Sequence, residues 1–222
     1  MKSKLKDNIT SLIVISLYLF SSLILQYILK IFNINFKHIS NNQIYIYNIL
    51  LELFLSITIA FIYCKTIINN FKEFKKCHFT KYIRYWLIGL LLMSICNILI
   101  NMFTYITTST NQKEIIKSFN MNPLYTTILA VLIAPFLEEL VFRLSFRKLI
   151  KQDTIFIIIS GIFFATMHIL NATTPLELLY LIPYTIPGII FAYTLSKSNN
   201  IFVPIFLHLI HNSTMIILQY IL

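Results

Sequence analysis

Glu138 and Glu139 stand side by side in the apolar run Leu132-Ile133-Ala134-Pro135-Phe136-Leu137-Glu138-Glu139-Leu140-Val141-Phe142-Arg143. An acidic side chain at the centre of a membrane helix costs about 2.5–3.5 kcal/mol on insertion scales, so such groups face a cavity or a partner. Glu139 and Arg143 are four residues apart and can pair on one helical face. Glu138 lies about 100° round the helix and is left for chemistry. Pro135 removes one backbone bond and can kink the helix, admitting water. The alternative is that the run ends here and both carboxylates lie at the membrane interface. Two further sites fall on later apolar runs. His168 closes Ser160-Gly161-Ile162-Phe163-Phe164-Ala165-Thr166-Met167-His168, where a lone His serves equally well as an interhelical hydrogen bond. His208 and Asn212 share a face at i, i+4, with His211 on their flank.

These residue types suit hydrolysis. A carboxylate and an imidazole can hold and deprotonate a water between them, and a low-dielectric setting raises the carboxylate's basicity. A second His and an Asn can donate hydrogen bonds to the oxyanion of a tetrahedral intermediate. Glu138, His168 and His208 would alternatively make a two-His, one-carboxylate zinc set, although no HExxH spacing is present.

Membrane helices must position these groups. The chain has 222 residues, 58% of them hydrophobic and 12% charged, with a mean hydropathy of +0.78. Soluble domains carry about twice that share of charge. Apolar stretches fall at 9–31, 44–69, 83–107, 123–146, 154–171, 176–196 and 201–221. The sequence therefore predicts an all-α, polytopic transmembrane bundle of about seven helices, with room for an eighth half-helix. The N-terminal run reads as an uncleaved first span, since no small-x-small site follows it. Short polar linkers are expected at Asn33 to Gln43, Lys72 to Lys81, Thr108 to Asn122 and Ser196 to Asn200. The chain divides into residues 1–122, three helices and their loops, and residues 123–222, which carry the candidate site.

The net charge of +10 would suggest nucleic acid for a soluble protein, but in a membrane chain it belongs to loops, so no nucleic-acid partner is expected. The N-terminus and the second, fourth and sixth connections carry 3, 6, 4 and 1 basic residues, and the other connections only 4 of the 18. That asymmetry places the N-terminus in the cytoplasm and the C-terminus outside. The cluster Lys72, Lys75, Lys76, Lys81 and Arg84 is a solvated cytoplasmic loop near anionic lipid. Cys64, Cys77 and Cys96 read as ordinary thiols, Cys77-His78 having no second ligand pair nearby. Asn48 with Glu52, and Asn97 with Asn101, read as interhelical hydrogen-bonding pairs, and Pro183 with Pro187-Gly188 as a break in the sixth segment. A proton-coupled transporter using Glu138 would call for internal repeats or a polar path through several helices, and neither is seen. At about 1.5 Å per residue, Glu138 lies ~13 Å from the inner boundary, His208 ~10 Å, Asn212 ~17 Å and His168 ~21 Å. Straight helices would keep His168 from Glu138, so tilt or the Pro135 kink must close the gap.

Glu138-Glu139-x-x-x-Arg143, Phe164-x-x-x-His168 and His208-x-x-x-Asn212, in that order on hydrophobic segments, resemble the EExxxR, FxxxH and HxxxN motifs of the CPBP intramembrane proteases. That family includes the CAAX prenyl endopeptidases and the bacterial Abi-type proteins. The resemblance spans roughly residues 123–215. It implies that Glu138 and His168 activate water, that His208 and Asn212 form the oxyanion site, and that Arg143 and Phe164 support them, with Glu139 a second participant. The family is described both as metal-independent glutamate proteases and as metalloproteases; one Glu-His pair plus an oxyanion pair favours the account without a cofactor, with Zn2+ the alternative. The resemblance further implies a bacterial plasma-membrane endopeptidase cutting a peptide or small protein near the cytoplasmic side, such as a secreted peptide, pheromone precursor or bacteriocin leader. Bacteriocin immunity or scaffolding by binding is the competing class. Leu144 departs from the Gly many members carry after the Arg, and His211 is not a motif position.

Overall fold

The computed structural model describes residues 2–31 and 40–221, and among these every regular element is a helix. Helices α1 (Lys2–Leu19) and α2 (Ser21–Ile31) meet at Phe20 with a bend of 59°. Next come α3 (Asn41–Ile62), α4 (Cys64–Glu73), α5 (Thr80–Thr104) and α6 (Thr110–Met121). Residues 123–149 form one unbroken helical rod of changing register: α7 (Pro123–Thr127), a π turn (Ile128–Ile133), α8 (Ala134–Glu138), a second π turn (Glu139–Ser145) and α9 (Phe146–Leu149). Helix α10 (Asp153–Ile169), a 3-10 segment (Pro175–Tyr180), α11 (Leu181–Ser198) and α12 (Phe202–Ile221) complete the bundle.

The chain is an all-α integral membrane protein. Gln43–Ile62, Thr80–Thr104 and Pro175–Ser198 are long and apolar enough to cross a bilayer, and the bent pair α1–α2 counts as a fourth crossing if taken as one span. Their outer faces present large apolar side chains, including Phe61, Ile57 and Phe103, which water would penalise and lipid accepts. The apolar helices α10 and α12 are shorter. At 17 residues α10 is only about 25 Å long.

Several expected boundaries move. The first segment is bent rather than straight, and the second breaks at Tyr63, where α4 begins. The stretch 108–122, expected as a linker, holds α6, capped by Ser109, whose Oγ accepts the Gln112 N–H at 3.3 Å. Its Asn and Gln positions hid a helix that packs by one amphipathic face, with Phe119 buried. Most of the linker expected from Asn33 to Gln43 lies outside the described residues, apart from the capping box of Ser40 and Gln43 that opens α3.

Two pairs of hydrogen bonds fix which ends of the bundle go together. At one end the Thr110 N–H donates to Glu177 at 2.9 Å, and Asn171 donates to Glu114 at 3.3 Å. At the other, Asn200 donates to the Asn70 carbonyl at 2.6 Å, and the Ile201 N–H to the Asn70 side chain at 2.7 Å. Between them, α10 and α11 cross with their backbones touching. A Cβ on Gly188 would sit 2.7 Å from the Gly161 carbonyl oxygen, and one on Gly161 would sit 2.9 Å from the Ile189 nitrogen. Ser160, Gly161 and Ala165 are the small residues of α10 that admit this neighbour, and all three are buried.

Candidate active site

The geometry starts from Pro135. In the π turn before it the Ala134 N–H reaches back five residues to the Leu129 carbonyl. In that register the Ala130 carbonyl would accept from residue 135, which as proline has no N–H. Asn212 supplies the missing donor: its Nδ2 lies 2.7 Å from the Ala130 oxygen. One amide thus ties α12 to the rod at the carbonyl that Pro135 leaves open. The second π turn is propped from the side, since the Ser145 hydroxyl donates to the Leu140 carbonyl at 3.1 Å and bonds Tyr63 at 2.8 Å.

Within this second turn Glu139 and Arg143 pair as expected, with Glu139 Oε2 3.2 Å from Arg143 Nε and both side chains fully buried. The helix therefore does not end at an interface. The contact is an ion pair rather than an aligned hydrogen bond, and among the described residues the three guanidinium nitrogens have no hydrogen-bond partner. Aromatic faces take their place, with the guanidinium carbon 4.4 Å from the Phe164 ring centre and 5.6 Å from that of Phe191.

Glu139 also holds His208. Its Oε1 is 2.9 Å from His208 Nδ1, and because a carboxylate only accepts, Nδ1 carries the proton. His208 Nε2 lies 3.8 Å from Glu138 Oε2, too far for a direct bond. The ring is 2% exposed, stacked on Phe191 at 4.8 Å and edge-on to Phe164 at 5.6 Å. Glu138, with 16% of its side chain exposed, is the freer carboxylate. His168 Nδ1 bonds the Phe164 carbonyl of its own helix at 2.9 Å. That carbonyl can only accept, so Nδ1 is the donor and Nε2 holds the lone pair of the neutral ring. His168 lies against Phe164 at 4.5 Å and Tyr184 at 4.9 Å.

His168, His208, His211 and Asn212 line one cavity of about 260 Å³, together with Phe164 and Phe191. Its upper wall comes from residues 107–112 and α6. Glu177 clamps that wall: its carboxylate accepts the Thr110 N–H at 2.9 Å, the Thr110 hydroxyl at 3.1 Å and the Thr173 hydroxyl at 2.8 Å. Ser109 bonds the Tyr184 hydroxyl at 2.8 Å. Trp86 donates its indole N–H to His211 Nδ1 at 3.4 Å.

The fold thus gathers Glu138, Glu139, Arg143, Phe164, His168, His208 and Asn212, but in a different pairing from the one expected. Among the described residues no hydrogen bond or ion pair joins Glu138 to His168; His208 is the imidazole beside Glu138. The depth gap closes at Phe164, whose ring touches both histidines. Phe164 also carries the arginine charge, so the first residue of Phe164-x-x-x-His168 has a physical reason. Leu144 is buried in the core beside Val141 and Phe142. Glu177, Tyr184, Phe191 and Trp86 were not singled out. Of these only Glu177, an acid at the start of an apolar run, gave a signal. Glu52, expected to hydrogen-bond between helices with Asn48, has a buried oxygen without a partner among the described residues and lies within electrostatic reach of Glu138 and Tyr18.

A metal finds no ready ligand set: among the described residues no three His, Cys, Asp or Glu side chains are grouped to hold an ion. His208 Nδ1 is engaged by Glu139 and His168 Nδ1 by a backbone carbonyl. Both rings keep Nε2 free, as a metal-bound His would, but Glu138, His168 and His208 are not grouped to hold an ion in this arrangement.

The Type II CAAX prenyl endopeptidase Rce1-like family matches residues 120–214, the stretch that builds this site. Residues 120–214 are therefore similar to the CAAX proteases. A relative in Bacillus subtilis (strain 168), "Putative membrane peptidase YdiL", is 32% identical over 114 residues. That match covers 50% of this chain and 43% of the relative, so the chain spans less than half the length of the relative it matches. No solved structure matches the chain.

Proposed function

We propose that the chain is an intramembrane endopeptidase of a bacterial plasma membrane, with its N-terminus in the cytoplasm, acting on a peptide or small protein. Residues 123–222 are its catalytic core and residues 1–122 its supporting helices. The observation that carries this reading is the single cavity wall made by His168, His208 and Asn212, with Glu138 next to His208. Glu139 is committed to Arg143 and His208, which leaves Glu138 as the carboxylate able to accept a proton. His168 offers Nε2 to a water, and catalytic contacts of this kind tighten only when substrate is bound.

In the reaction, water bound between Glu138 and His168 attacks the peptide carbonyl carbon while Glu138 takes its proton. The new oxyanion is met by the N–H of Asn212 not used on Ala130 and by His208. With Nδ1 donating to Glu139, His208 can donate from Nε2 only as the imidazolium. The proton then passes from Glu138 to the leaving nitrogen as the C–N bond breaks. Phe164 and Arg143 hold the two imidazoles and Glu139 in register. The test is cleavage of a peptide library by purified protein, with and without a chelator. Glu138→Ala and His168→Ala each abolish turnover, and Asn212→Ala lowers kcat about 10²–10³-fold, as for loss of one oxyanion donor. Unchanged turnover in both the Glu138 and His168 variants refutes the assignment, and chelator inhibition reversed by zinc refutes the metal-free step.

A further inference from the structure

The cavity has a direction. Its floor is His208 and Phe191, and beneath them Leu140, Phe142, Glu139 and Arg143 are fully packed. Its outer walls come from one side of the bundle: residues 107–119, Tyr180 with the first turns of α11 to Pro187, and Met215 and Ile216 of α12, with Met93, Asn97 and Ala130 lining it deeper in. None comes from the connections at the opposite end, around residues 69–81, 150–153 and 197–200. That opposite end carries Lys72, Lys75, Lys76, Lys81 and Arg84, then Arg147, Lys148 and Lys151, and Lys197, whereas α6 beside the cavity carries only Lys113 and Lys117. Basic connections stay in the cytoplasm. The two facts together put the mouth of the site on the other face.

A second property narrows the occupant. Among the described residues no Lys, Arg, Asp or Glu lines the cavity. Ser109, Asn111 and Gln112 offer uncharged hydrogen-bonding groups near the mouth and Asn97 another below, where Met93, Phe119 and Ile216 offer apolar surface. Apart from Glu138 and His208, which the reaction itself engages, a charged side chain drawn in would lose its water without gaining a counter-charge.

We propose, resting on the peptidase reading above, that the site is reached from the extracytoplasmic face and takes an uncharged stretch of an exported or membrane-anchored peptide. This reverses the side expected from the family resemblance.

Two measurements on the full chain test it. With Cys64, Cys77 and Cys96 changed to Ser, single cysteines are placed at the mouth (Gln112→Cys), on the exposed face of the same helix (Lys113→Cys) and on the opposite connection (Lys75→Cys). Intact cells are treated with a membrane-impermeant maleimide. The proposal expects labelling at 112 and 113 in intact cells and at 75 only after permeabilisation; the reverse pattern overturns it. Sealed right-side-out and everted vesicles are then given a water-soluble fluorogenic peptide. Cleavage by right-side-out vesicles, lost in Glu138→Ala, is expected. Cleavage confined to everted vesicles overturns the access proposal while leaving the peptidase reading intact. Cleavage in neither, nor in detergent, overturns the peptidase reading, and the labelling then decides access by itself. A Lys or Glu beside the scissile bond lowers kcat/KM at least about tenfold, equivalent to ~1.4 kcal/mol; equal turnover overturns the uncharged-segment claim.

Discussion

Replacing Arg143 by Met tests whether the buried ion pair organises the site. Methionine fills much of the arginine stem's volume, so the change removes charge more than packing. The lost interactions are the 3.2 Å contact with Glu139 and the guanidinium stacked 4.4 Å from Phe164. Glu139 remains, fully buried, bonded only to His208. Breaking one side of a buried pair costs about 3–5 kcal/mol, because the other charge stays desolvated and uncompensated. Loss of a desolvated cation–π contact is worth about 2 kcal/mol, but the two are coupled through one side chain and do not add. For a chain of this size, 3–5 kcal/mol lowers Tm by about 6–20 °C. The double variant Glu139→Gln with Arg143→Met removes both charges and keeps an oxygen to accept from His208. It should recover most of the loss, since a buried pair replaced as a unit is often close to neutral. Helical circular dichroism against temperature, in one detergent at one scan rate, measures all three proteins. The reasoning is refuted if the single variant falls within about 0.5 kcal/mol of the parent, the range of an ordinary surface change. It is equally refuted if the double variant is no more stable than the single.

Other substitutions test separate contacts. Gly188→Ala drives a Cβ to 2.7 Å from the Gly161 carbonyl oxygen, and this overpacking should cost about 1–3 kcal/mol in the same thermal assay. Asn212→Ala strips the Ala130 carbonyl of its donor and should cost about 1–3 kcal/mol; adding Pro135→Ala restores a backbone N–H and should return stability but not kcat. Glu177→Ala removes the acceptor of three hydrogen bonds. Hydrogen exchange at the Thr110 amide should then accelerate, with the amides of α10 unchanged.

The parts of the fold that were legible in the sequence are those governed by composition and helical spacing. Seven apolar runs, the pairing of Glu139 with Arg143 and the close approach at Gly161 all follow from hydropathy or from i, i+4 geometry. The hidden parts depend on register and on distant neighbours. Beyond the Ser109–Gln112 cap, the Asn and Gln composition of 108–122 does not distinguish a polar linker from a helix that roofs a cavity; the roof is held by Glu177, more than fifty residues away. The π turns are likewise silent, because a wider turn leaves no period in so short a run.

The role of Asn212 shows why that silence matters. From the sequence it is an amide one helical turn beyond His208, a spacing that suggests two donors aimed at one ligand. The fold adds a demand the spacing does not contain. Pro135 in a π register orphans the Ala130 carbonyl, and a buried orphan carbonyl in a membrane must find a donor within the protein. Asn212 meets it with one N–H, and an amide nitrogen has two. The structural bond therefore does not compete with an oxyanion bond but aims it, because fixing one N–H of a planar amide fixes the direction of the other. His208 is oriented in the same way, through Glu139 and the faces of Phe164 and Phe191. The donors of the proposed oxyanion site are thus aimed by two features of one rod, the proton that Pro135 lacks and the buried carboxylate of Glu139.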